Sequence, residues 1–581
     1  MRGEADALLR ILVIPVNIMS SPVMQISRPR ISGNGITFQR NKALWVVVAS
    51  LLVLAPVCFY GIPSNIDLSN HFRFALPFYD SLQSGHVYPG WLAESNGGYG
   101  DPSFRFYPPG TYYLLACTRA VSGSWYAGSM LAFAVMFSVG SLGAYLWARE
   151  FVSSRWAMWA GILYAVAPYR LNQLYQASLL AEFAGAAILP FTFFFAERVC
   201  TRRTRRDVAG LAASYAILVF THLPLTVIGS IALLVYALVR LNPFREWRTL
   251  ISLAIAAGLG LAASASYWTT MISELDWIRA DNIKPYSFID YRSNFLLSTF
   301  SPENLNVWWM NILLLSTVAM FWPGFVVFRR SIWKTSTSRG MKAAAALLLV
   351  SLAMGTQIST PIWKLIRPLQ ETQFPWRWLA LTSLVCPLLF ASALPFWIQR
   401  AGAKSRSILL IAAGTMAIAL AFSVSHIIRE AQFLDHTAFD ATLRAIPGSE
   451  GVTQWWPRWV DEPKEMPREV DAGSRAVAIR SWQSENRVFV VQAGEPADIR
   501  VRTFYYPHWM ATANNNNLLV RPDRDGAMLI TVPAQQTEVA LEFREPARVR
   551  WARIITISAW IAIVGLACFG TRKKVSPSIA A

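Results

Sequence analysis

The stretch ALWVVVASLLVLAPVCF, residues Ala43–Phe59, contains no charged residue and decides the class of fold. A helix needs about 20 predominantly apolar residues to cross the hydrocarbon core of a bilayer. A second such block, ISLAIAAGLGLAASA, occupies Ile251–Ala265, and short basic patches separate blocks of this kind along the chain. The pattern predicts an α-helical polytopic membrane protein.

The composition of the whole chain supports this interpretation. Of 581 residues, 54% are apolar or aromatic and 15% are charged, whereas a soluble domain carries about 25% charged residues. Lys and Arg exceed Asp and Glu by 53 − 34 = +19. In a membrane protein this excess marks cytoplasmic loops rather than a nucleic-acid partner. The composition also excludes collagen-like, disordered and disulfide-rich secreted chains.

Hydropathy predicts about twelve crossings. They lie at 44–60, 126–148, 156–169, 177–197, 207–221, 224–240, 249–270, 307–328, 341–357, 376–398, 407–425 and 552–570. The basic run Arg198–Arg206 and the basic residues before the first crossing must both be cytoplasmic, so an odd number of crossings lies between the outer loop at 61–125 and residue 198. Residues 111–122 are therefore predicted to be an interfacial or re-entrant helix on the outer side. Both termini are expected in the cytoplasm.

The predicted domain organisation follows from these crossings. A cytoplasmic arm occupies residues 1–43, and the polytopic membrane domain occupies 44–425. Residues 61–125, the first large loop, are expected on the outer side, as is a β-rich domain at 426–550. Residues 551–581 hold the final crossing and a basic cytoplasmic tail.

The N-terminal arm contains an apolar run at residues 7–19 that is interrupted by Arg10. This run is too short to cross a membrane, and a signal peptide followed by a long polar stretch fits poorly. Either the arm is a disordered cytoplasmic segment or translation starts at Met24.

The region at 426–550 is predicted to be an antiparallel β-sandwich. Its residues alternate between apolar and polar in short runs divided by turn residues such as Asp523–Gly526. The runs are Val477–Arg480, Val488–Gln492, Asp498–Tyr505, Ala527–Val532 and Glu538–Phe543. None of the five cysteines falls in this region, so we expect it to fold without disulfides.

Two residues at the start of the first large loop are candidates for chemistry. Asp67 and His71 are four positions apart and would share one face of a helix. Such a pair can bind a divalent metal, or the histidine can orient and tune the carboxylate. A solvated aspartate without chemical function is the alternative.

Several longer strings resemble a known family. They are Asp67…His71, Gly85-x-x-Tyr-Pro89-x-Trp91, Gly98-Tyr-Gly-Asp-Pro102, Phe106-Tyr-Pro-Pro109, Ala167-Pro-Tyr-Arg170 with Ala181-Glu182, Gln373-Phe-Pro-Trp-Arg377 and Phe504-Tyr-Tyr-Pro507-x-Trp509. With these strings the chain resembles bacterial multi-spanning membrane proteins called "6-pyruvoyl-tetrahydropterin synthase-related". More distantly, it is similar to the GT-C class of membrane glycosyltransferases. The resemblance implies a GT-C-like fold in the bacterial inner membrane.

The pterin part of that family name does not predict the activity. The synthase it refers to is a small soluble enzyme with a zinc site of three histidines. The six histidines of this chain contain no H-x-H pair. The sequence also lacks a P-loop, a dinucleotide-binding fingerprint, an HExxH motif and a nucleophile elbow.

The resemblance to GT-C enzymes implies a glycosyltransferase. These enzymes use polyprenyl-phosphate sugars as donors and carry an acidic residue in the first outer loop, a position that Asp67 matches. The acceptor would be an envelope glycan, lipid or protein. Many of these enzymes have a paired acidic motif, whereas the nearest acids here are Asp80, Glu94 and Asp101. Asp67 would therefore act alone, act with a metal, or not act.

The donor phosphate would need cations, and the sugar would need polar and aromatic partners. The predicted substrate-binding residues are Arg73, Tyr88, Trp91, Arg105, Tyr107, Arg170, Glu182 and Arg377. A charge at bilayer depth is a functional candidate. For Arg377 the alternative is snorkelling to the interface, and for Glu182 it is a structural ion pair with Arg170.

Two other functions are compatible with the sequence. A transporter or flippase for lipid-linked saccharides would need polar and charged residues well inside several crossings. A non-catalytic assembly protein of the envelope would retain the fold without the chemistry. The second alternative predicts that Asp67→Asn has no effect on the product.

Overall fold

The computed structural model describes residues 35–65, 67–279, 289–332, 338–399, 402–446, 451–461 and 464–569. Most of the N-terminal arm, including Met24, and the basic tail from residue 570 lie outside the described residues. The chain divides into two units, Met1–Arg40 and Asn41–Ala581. All the contacts reported below belong to the second unit.

Helices dominate the chain up to residue 445. In order they are α1 Gly35–Leu52, α2 Ala55–Tyr60, α3 Leu68–Gln83, α4 Gly110–Ser122, α5 Trp125–Ala148, α6 Ser154–Ala165, α7 Pro168–Tyr175, α8 Leu180–Thr201, α9 Arg205–Thr221, α10 Leu223–Arg240, α11 Trp247–Ala263, α12 Ala265–Glu274, α13 Leu305–Ile332, α14 Arg339–Gly355, α15 Thr360–Leu365, α16 Arg367–Gln370, α17 Leu379–Gln399, α18 Ala403–Glu430 and α19 His436–Ala445. A last helix, α20 Ala547–Cys568, follows the β-rich region. The predicted polytopic helical fold class is confirmed.

Fewer helices than predicted are long enough to cross a membrane. Among the described residues seven pass by length and composition, or eight if the α11–α12 pair, bent by 69°, is a single span. Each of the other predicted crossings coincides with a shorter or broken helix. The first is interrupted between α1 and α2, close to Pro56, while α6, α9 and α14 have 12 or 17 residues. The expected count of about twelve therefore exceeds the number of full-length apolar helices.

Two helices form the centre of the membrane domain. The apolar windows of α8 and of the segment Pro375–Gln399, which contains α17, are 72% and 78% buried, whereas those of α18 and α20 are each 17% buried. A membrane helix buried to this degree must pack on protein on nearly all sides. Both central helices begin next to the first large loop, and Glu182 and Arg377 lie at those beginnings.

The C-terminal region is an antiparallel β-sandwich. Its strands are β3 Val470–Asp471, β4 Val477–Trp482, β5 Asn486–Val491, β6 Ala497–Phe504, β7 Trp509–Ala513, β8 Asn516–Leu518, β9 Val520–Pro522, β10 Ala527–Val532 and β11 Thr537–Phe543. The sheet orders are β3-β6-β10-β9 and β4-β5-β11-β7-β8. Alternate residues of both sheets meet in one apolar core, as in Ile499 and Val501 of β6 with Val539 and Leu541 of β11. All five predicted runs form strands, which confirms the β-rich region.

A short ladder connects the region after α18 to the first large loop. Strand β1, Ile62–Pro63, pairs antiparallel with β2, Phe433–Leu434. Helix α19 packs beside it, where Phe439 contacts Phe72 of α3 edge to face. The start of the first large loop is therefore held between α18 and α19.

Candidate active site

Asp67 occupies the N-terminal end of α3. The ladder fixes the chain before it, because the Ser64 N–H donates to the Gln432 carbonyl at 2.7 Å and Asn65 bonds to Ser178 and Tyr175. The Asp67 side chain caps no backbone N–H of α3. Its Oδ1 accepts one bond, from the Asn70 amide at 3.2 Å, and the residue is half-buried. The carboxylate therefore has unused acceptor capacity and partial access from outside.

His71 lies one turn further along α3 and is buried. Its Nε2 accepts from the Leu180 N–H at 3.1 Å, which leaves Nδ1 to donate to the Tyr112 hydroxyl at 2.9 Å. Burial lowers the pKa of His71, and the nearby Asp67 carboxylate opposes that shift only in part. The imidazole is therefore neutral near pH 7 and bonded through both nitrogens.

These bonds bear on the predicted metal site at Asp67 and His71. Binding a cation through His71 would require the loss of one of its two hydrogen bonds. The described residues contain no group of three or more His, Cys, Asp or Glu side chains that could hold a metal ion. The metal site at Asp67 and His71 therefore stays a prediction. In this conformation only the Asp67 carboxylate is free to bind a metal ion.

Glu182 and Arg377 form a buried ion pair next to α3. Nε of Arg377 donates to Oε2 of Glu182 at 3.0 Å, and their side chains are 9% and 1% exposed. The Tyr169 hydroxyl and the Gln173 amide both donate to Oε1 of Glu182. The Nη1 group of Arg377 donates to the Thr372 carbonyl at 2.5 Å. A buried ion pair needs additional hydrogen bonds of this kind to offset the free energy that its charges lose when they leave water.

The predicted partner of Glu182 was wrong. Arg170 points into the helix bundle, where Nη2 donates to the Met136 carbonyl at 2.9 Å and the guanidinium lies 4.5 Å from the Phe183 ring centroid. Gly140 makes room for it, since a Cβ there would lie 2.6 Å from Nη2 of Arg170. This position is unsuited to the predicted contact with a donor phosphate.

Tyr107 connects Asp67 with the ion pair. Burial raises the pKa of Tyr107 well above its usual range, the negative charge of Asp67 raises it further, and Arg377 opposes the shift. The phenol therefore lies within the electrostatic reach of both groups. On the other side, burial and the charge of Arg377 hold the pKa of His222 well below its usual range, and its Nδ1 accepts from the Leu225 N–H at 3.2 Å. His71 is bonded to the Leu180 N–H and to Tyr112, Tyr112 packs edge to face on Tyr107, and Arg377 pairs with Glu182 of the same helix as Leu180. We call Asp67, His71, Tyr107, Glu182 and Arg377 the polar cluster.

Arg105 belongs to a different cluster. Its guanidinium donates to both oxygens of Glu274 at 2.5 and 2.7 Å and to both oxygens of Glu545 at 2.8 and 3.0 Å. Tyr506 and His508 of the sandwich also bond to Glu274, at 2.7 and 2.9 Å. Two carboxylates compensate Arg105 fully, so its predicted role as a phosphate ligand does not fit. We call this group the docking cluster.

Of the remaining predicted ligands, Tyr88 and Trp91 also have partners outside the polar cluster. Trp91 is completely buried in the sandwich core, edge to face with Trp509, and cannot reach a ligand there. The Tyr88 hydroxyl donates to the Phe104 carbonyl at 3.1 Å, and Arg553 lies over its ring. Arg73, on α3, has a buried Nε without a hydrogen-bond partner among the described residues.

Some residues of both clusters were not predicted from the sequence. Tyr169 and Gln173 are four apart on α7, a spacing that places them on one face toward Glu182. Tyr169 lies within the quoted Ala167–Arg170 string, and Gln173 follows three residues after it. Glu274, the last residue of α12, is fully buried among cations. Its partners come from distant parts of the chain, and no local pattern marks them.

Asp101 is a buried carboxyl group outside both clusters. Its Oδ1 accepts from the Ser103 N–H at 2.5 Å, and burial raises its pKa to about 6 although these hydrogen bonds oppose the shift. It is 1% exposed and has no ion-pair partner among the described residues. Asp101 therefore supports the local turn and does not form a second acid of the polar cluster.

Residues 104–434 match the family described as "6-pyruvoyl-tetrahydropterin synthase related domain; membrane protein". No curated protein matches the chain.

Among solved structures, the chain is similar to the arabinofuranosyltransferase AftD from Mycobacteria, at 16% identity and a TM-score of 0.42, over 70% of this chain and 27% of that one. It is also similar to ArnT from Cupriavidus metallidurans bound to undecaprenyl phosphate, at 14% identity and a TM-score of 0.40, over 72% and 75% of the two chains. A third similar structure is the arabinosyltransferase EmbB from Mycobacterium smegmatis, at 14% identity and a TM-score of 0.37. The match covers 91% of this chain and 65% of that one. The match spans about a quarter of the length of AftD.

Proposed function

This chain belongs to the 6-pyruvoyl-tetrahydropterin synthase related family of membrane proteins, and from that premise we propose that it is a GT-C-like glycosyltransferase. It transfers a sugar from a polyprenyl-phosphate donor to an envelope glycan, lipid or protein acceptor. The reaction takes place at the polar cluster, on the outer side of the inner membrane. Asp67 is the catalytic base.

The observation that carries this proposal is the position of the Asp67 carboxylate. It is half-buried, accepts one hydrogen bond, and lies one turn before His71, whose Nε2 accepts from the Leu180 N–H two residues before Glu182, the partner of Arg377. A proton acceptor and a cation for an anionic leaving group therefore lie on elements that are hydrogen-bonded to each other through His71. Both are requirements of glycosyl transfer from a phosphate donor.

The chemical step uses Asp67 as a general base. The acceptor hydroxyl oxygen attacks the anomeric carbon of the donor, and its proton passes to the Asp67 carboxylate. The bond between that carbon and the phosphate oxygen breaks, and the polyprenyl phosphate leaves with the electron pair. A positioned base contributes about 10²–10⁴-fold to such a rate.

Arg377 is the proposed ligand of the donor phosphate. Its Nε and Nη1 are bonded to Glu182 and Thr372, whereas its Nη2 has no partner among the described residues. Glu182 fixes the orientation of the guanidinium, which leaves Nη2 to donate to a phosphate oxygen. The pair thus acts as a preorganised donor rather than as a free charge.

An apolar groove beside the polar cluster is proposed to take the first part of the polyprenyl chain. Its walls come from α1, α2, α7 and α18, and include Val53, Leu171, Tyr175, Leu420 and Ile427. Helix α7 connects the groove with the cluster, because its Leu171 and Tyr175 face the groove whereas its Tyr169 and Gln173 bond to Glu182. An isoprenoid tail in this groove would place its phosphate near Arg377.

The experiment replaces Asp67 in cells and compares the envelope saccharides. Asp67→Asn should abolish one envelope glycan or glycan modification, with unchanged protein level and topology. Asp80→Asn is the matched control, because Asp80 is an exposed carboxylate on the same helix. Full modification in the Asp67→Asn strain would instead support the transporter or assembly alternatives.

A further inference from the structure

A tryptophan-rich segment follows α19 and passes beside the polar cluster. This segment, residues 451–461, is called the strap and contains Trp455, Trp456 and Trp459. It belonged to the region predicted to be part of the β-domain, but it forms no strand of either sheet.

The strap is fixed to two other parts of the molecule. The Gly451 N–H and the Trp456 indole N–H both donate to Oδ1 of Asn96, at 2.6 and 2.9 Å. The Arg458 N–H donates to the Trp277 carbonyl at 2.8 Å. The side chains between these anchors are therefore held in defined positions relative to the first large loop.

Neighbouring tryptophans of the strap face opposite ways. Trp456 is 5% exposed and packs in the sandwich core against Phe504. Trp455 lies parallel to Phe106, with 3° between the rings and 6.1 Å between the centroids, and edge to face with Tyr107 at 6.0 Å. Trp455 thus forms an aromatic wall together with two consecutive residues of the first large loop.

This wall borders the polar cluster. The Tyr107 ring lies edge to face with the Tyr112 ring at 5.9 Å between centroids, and the Tyr112 hydroxyl is bonded to Nδ1 of His71 at 2.9 Å. Trp455 and Asp67 are both half-buried, so part of each side chain remains accessible. The wall is therefore connected through Tyr112 to His71, one helical turn from Asp67.

We propose that Trp455, with Phe106 and Tyr107 behind it, binds the sugar ring of the donor. This inference rests on the proposed glycosyltransferase function and specifies the substrate contact within it. Trp455 is a binding residue that orients the ring, so that its anomeric carbon faces the acceptor oxygen that Asp67 activates.

The chemistry of the wall fits a sugar ring better than a wholly apolar or wholly charged group. A sugar ring has faces of C–H groups and a rim of hydroxyls. Its faces pack on aromatic rings, and its rim needs hydrogen-bonding groups. Trp455 supplies the ring, and the hydrogen-bonded pair of Asp67 and Asn70 at the start of α3 supplies polar groups for the rim.

The test measures binding to the purified full chain in nanodiscs, with Asp67→Asn as background to prevent turnover. The probes are undecaprenyl phosphate without a sugar and undecaprenyl phosphate carrying mannose, glucose, galactose or arabinose. Trp455→Ala should weaken binding of the preferred sugar-bearing lipid about tenfold and leave binding of undecaprenyl phosphate unchanged. Trp455→Phe should retain part of the affinity.

Trp459→Phe is the matched control. Trp459 belongs to the same strap and is also half-buried, but it packs edge to face on Tyr505 at 5.0 Å, away from Tyr107. It should bind every probe like the parent protein. Equal losses for the lipids with and without sugar in Trp455→Ala, or no sugar-dependent difference with any probe, would overturn the inference.

The outcomes also separate this inference from the proposed function. If Asp67→Asn abolishes the glycan but Trp455→Ala binds all probes normally, Asp67 acts as proposed and the aromatic wall does not. If Asp67→Asn retains the glycan while Trp455→Ala loses sugar-dependent binding, the wall binds sugars in a protein that is not the proposed transferase.

Discussion

Nε of Arg377 lies 3.0 Å from Oε2 of Glu182, although the two residues are 195 positions apart in the chain. Their contact joins the first turn of α8 to the turn that precedes α17. It places a guanidinium beside the first large loop without leaving an uncompensated charge in the protein interior. The polar cluster is built around this relationship.

Glu182→Gln should destabilise the protein by about 3 kcal/mol, because it leaves the Arg377 guanidinium buried without a carboxylate. The measurement is the unfolding midpoint of the purified protein in detergent. Glu371→Gln is the control, since Glu371 forms a pair with Arg367 at 3.9 Å in which both side chains are exposed. That variant should change stability by less than about 0.5 kcal/mol. Equal effects of both variants would contradict the assigned role of the buried pair.

Gly61→Ala should disrupt the start of the first large loop. Gly61 has a φ of +108°, and a Cβ there would lie 2.0 Å from the Leu434 carbonyl oxygen. The β1–β2 ladder would open and Asp67 would move, so both stability and sugar transfer should fall. Gly85→Ala is the control, because Gly85 has a φ of +90° but no atom within 4 Å of the added Cβ. It should lose about 1 kcal/mol and retain transfer.

Arg105→Met should loosen the sandwich from the membrane domain. It removes the cation shared by Glu274 and Glu545, which leaves buried carboxylates short of partners. We expect faster backbone hydrogen exchange in residues 505–509, because Tyr506 and His508 of this segment bond to Glu274. Arg544→Met, which removes an exposed pair with Glu542, should leave that exchange unchanged. Protection at 505–509 that survives Arg105→Met would show that the docking cluster does not hold the sandwich.

The raised pKa of Asp101 predicts that the free energy of unfolding depends on pH. Its pKa is raised to about 6 in the folded protein, from about 3.9 when unfolded. The folded state thus binds the proton more tightly, and this stabilisation is complete below pH 4 and is lost as the pH rises through 6. Relative to Asp101→Asn, the parent should lose about 2–3 kcal/mol between pH 4 and pH 7. Asp461→Asn is the control, because the Asp461 side chain is 79% exposed, and its stability should vary with pH as in the parent. Parallel curves of stability against pH for the parent and both variants would exclude this role of Asp101.

The fold class was predictable from the sequence because hydropathy and period-two alternation are local properties. Blocks such as Ala43–Phe59 are apolar wherever they lie, and runs such as Glu538–Phe543 alternate however they pair. The count of crossings was less predictable, because helix length depends on breaks such as the one before Pro56. The strap was not predicted, because its tryptophans follow neither the helical nor the strand periodicity. Hydrogen bonds to Asn96 and to the Trp277 carbonyl determine its path.

The sequence marked the residues of the polar cluster as candidates, but it did not predict which of them form pairs. Asp67, His71, Glu182 and Arg377 were each marked by a string or by a charge at bilayer depth. Arg170 was expected to be the partner of Glu182 because it is near in sequence. The structure instead gives Arg170 aromatic neighbours and a backbone carbonyl, an arrangement that only tertiary packing determines.

The most direct test of the account is the single-turnover release of undecaprenyl phosphate from a sugar-bearing undecaprenyl phosphate by the purified protein. The assay uses the sugar that the parent protein consumes, with its acceptor present in excess. Asp67→Asn should slow release at least about 100-fold, while Asp80→Asn should match the parent. An Asp67→Asn protein that releases undecaprenyl phosphate at the parent rate would contradict the claim that this carboxylate is the catalytic base.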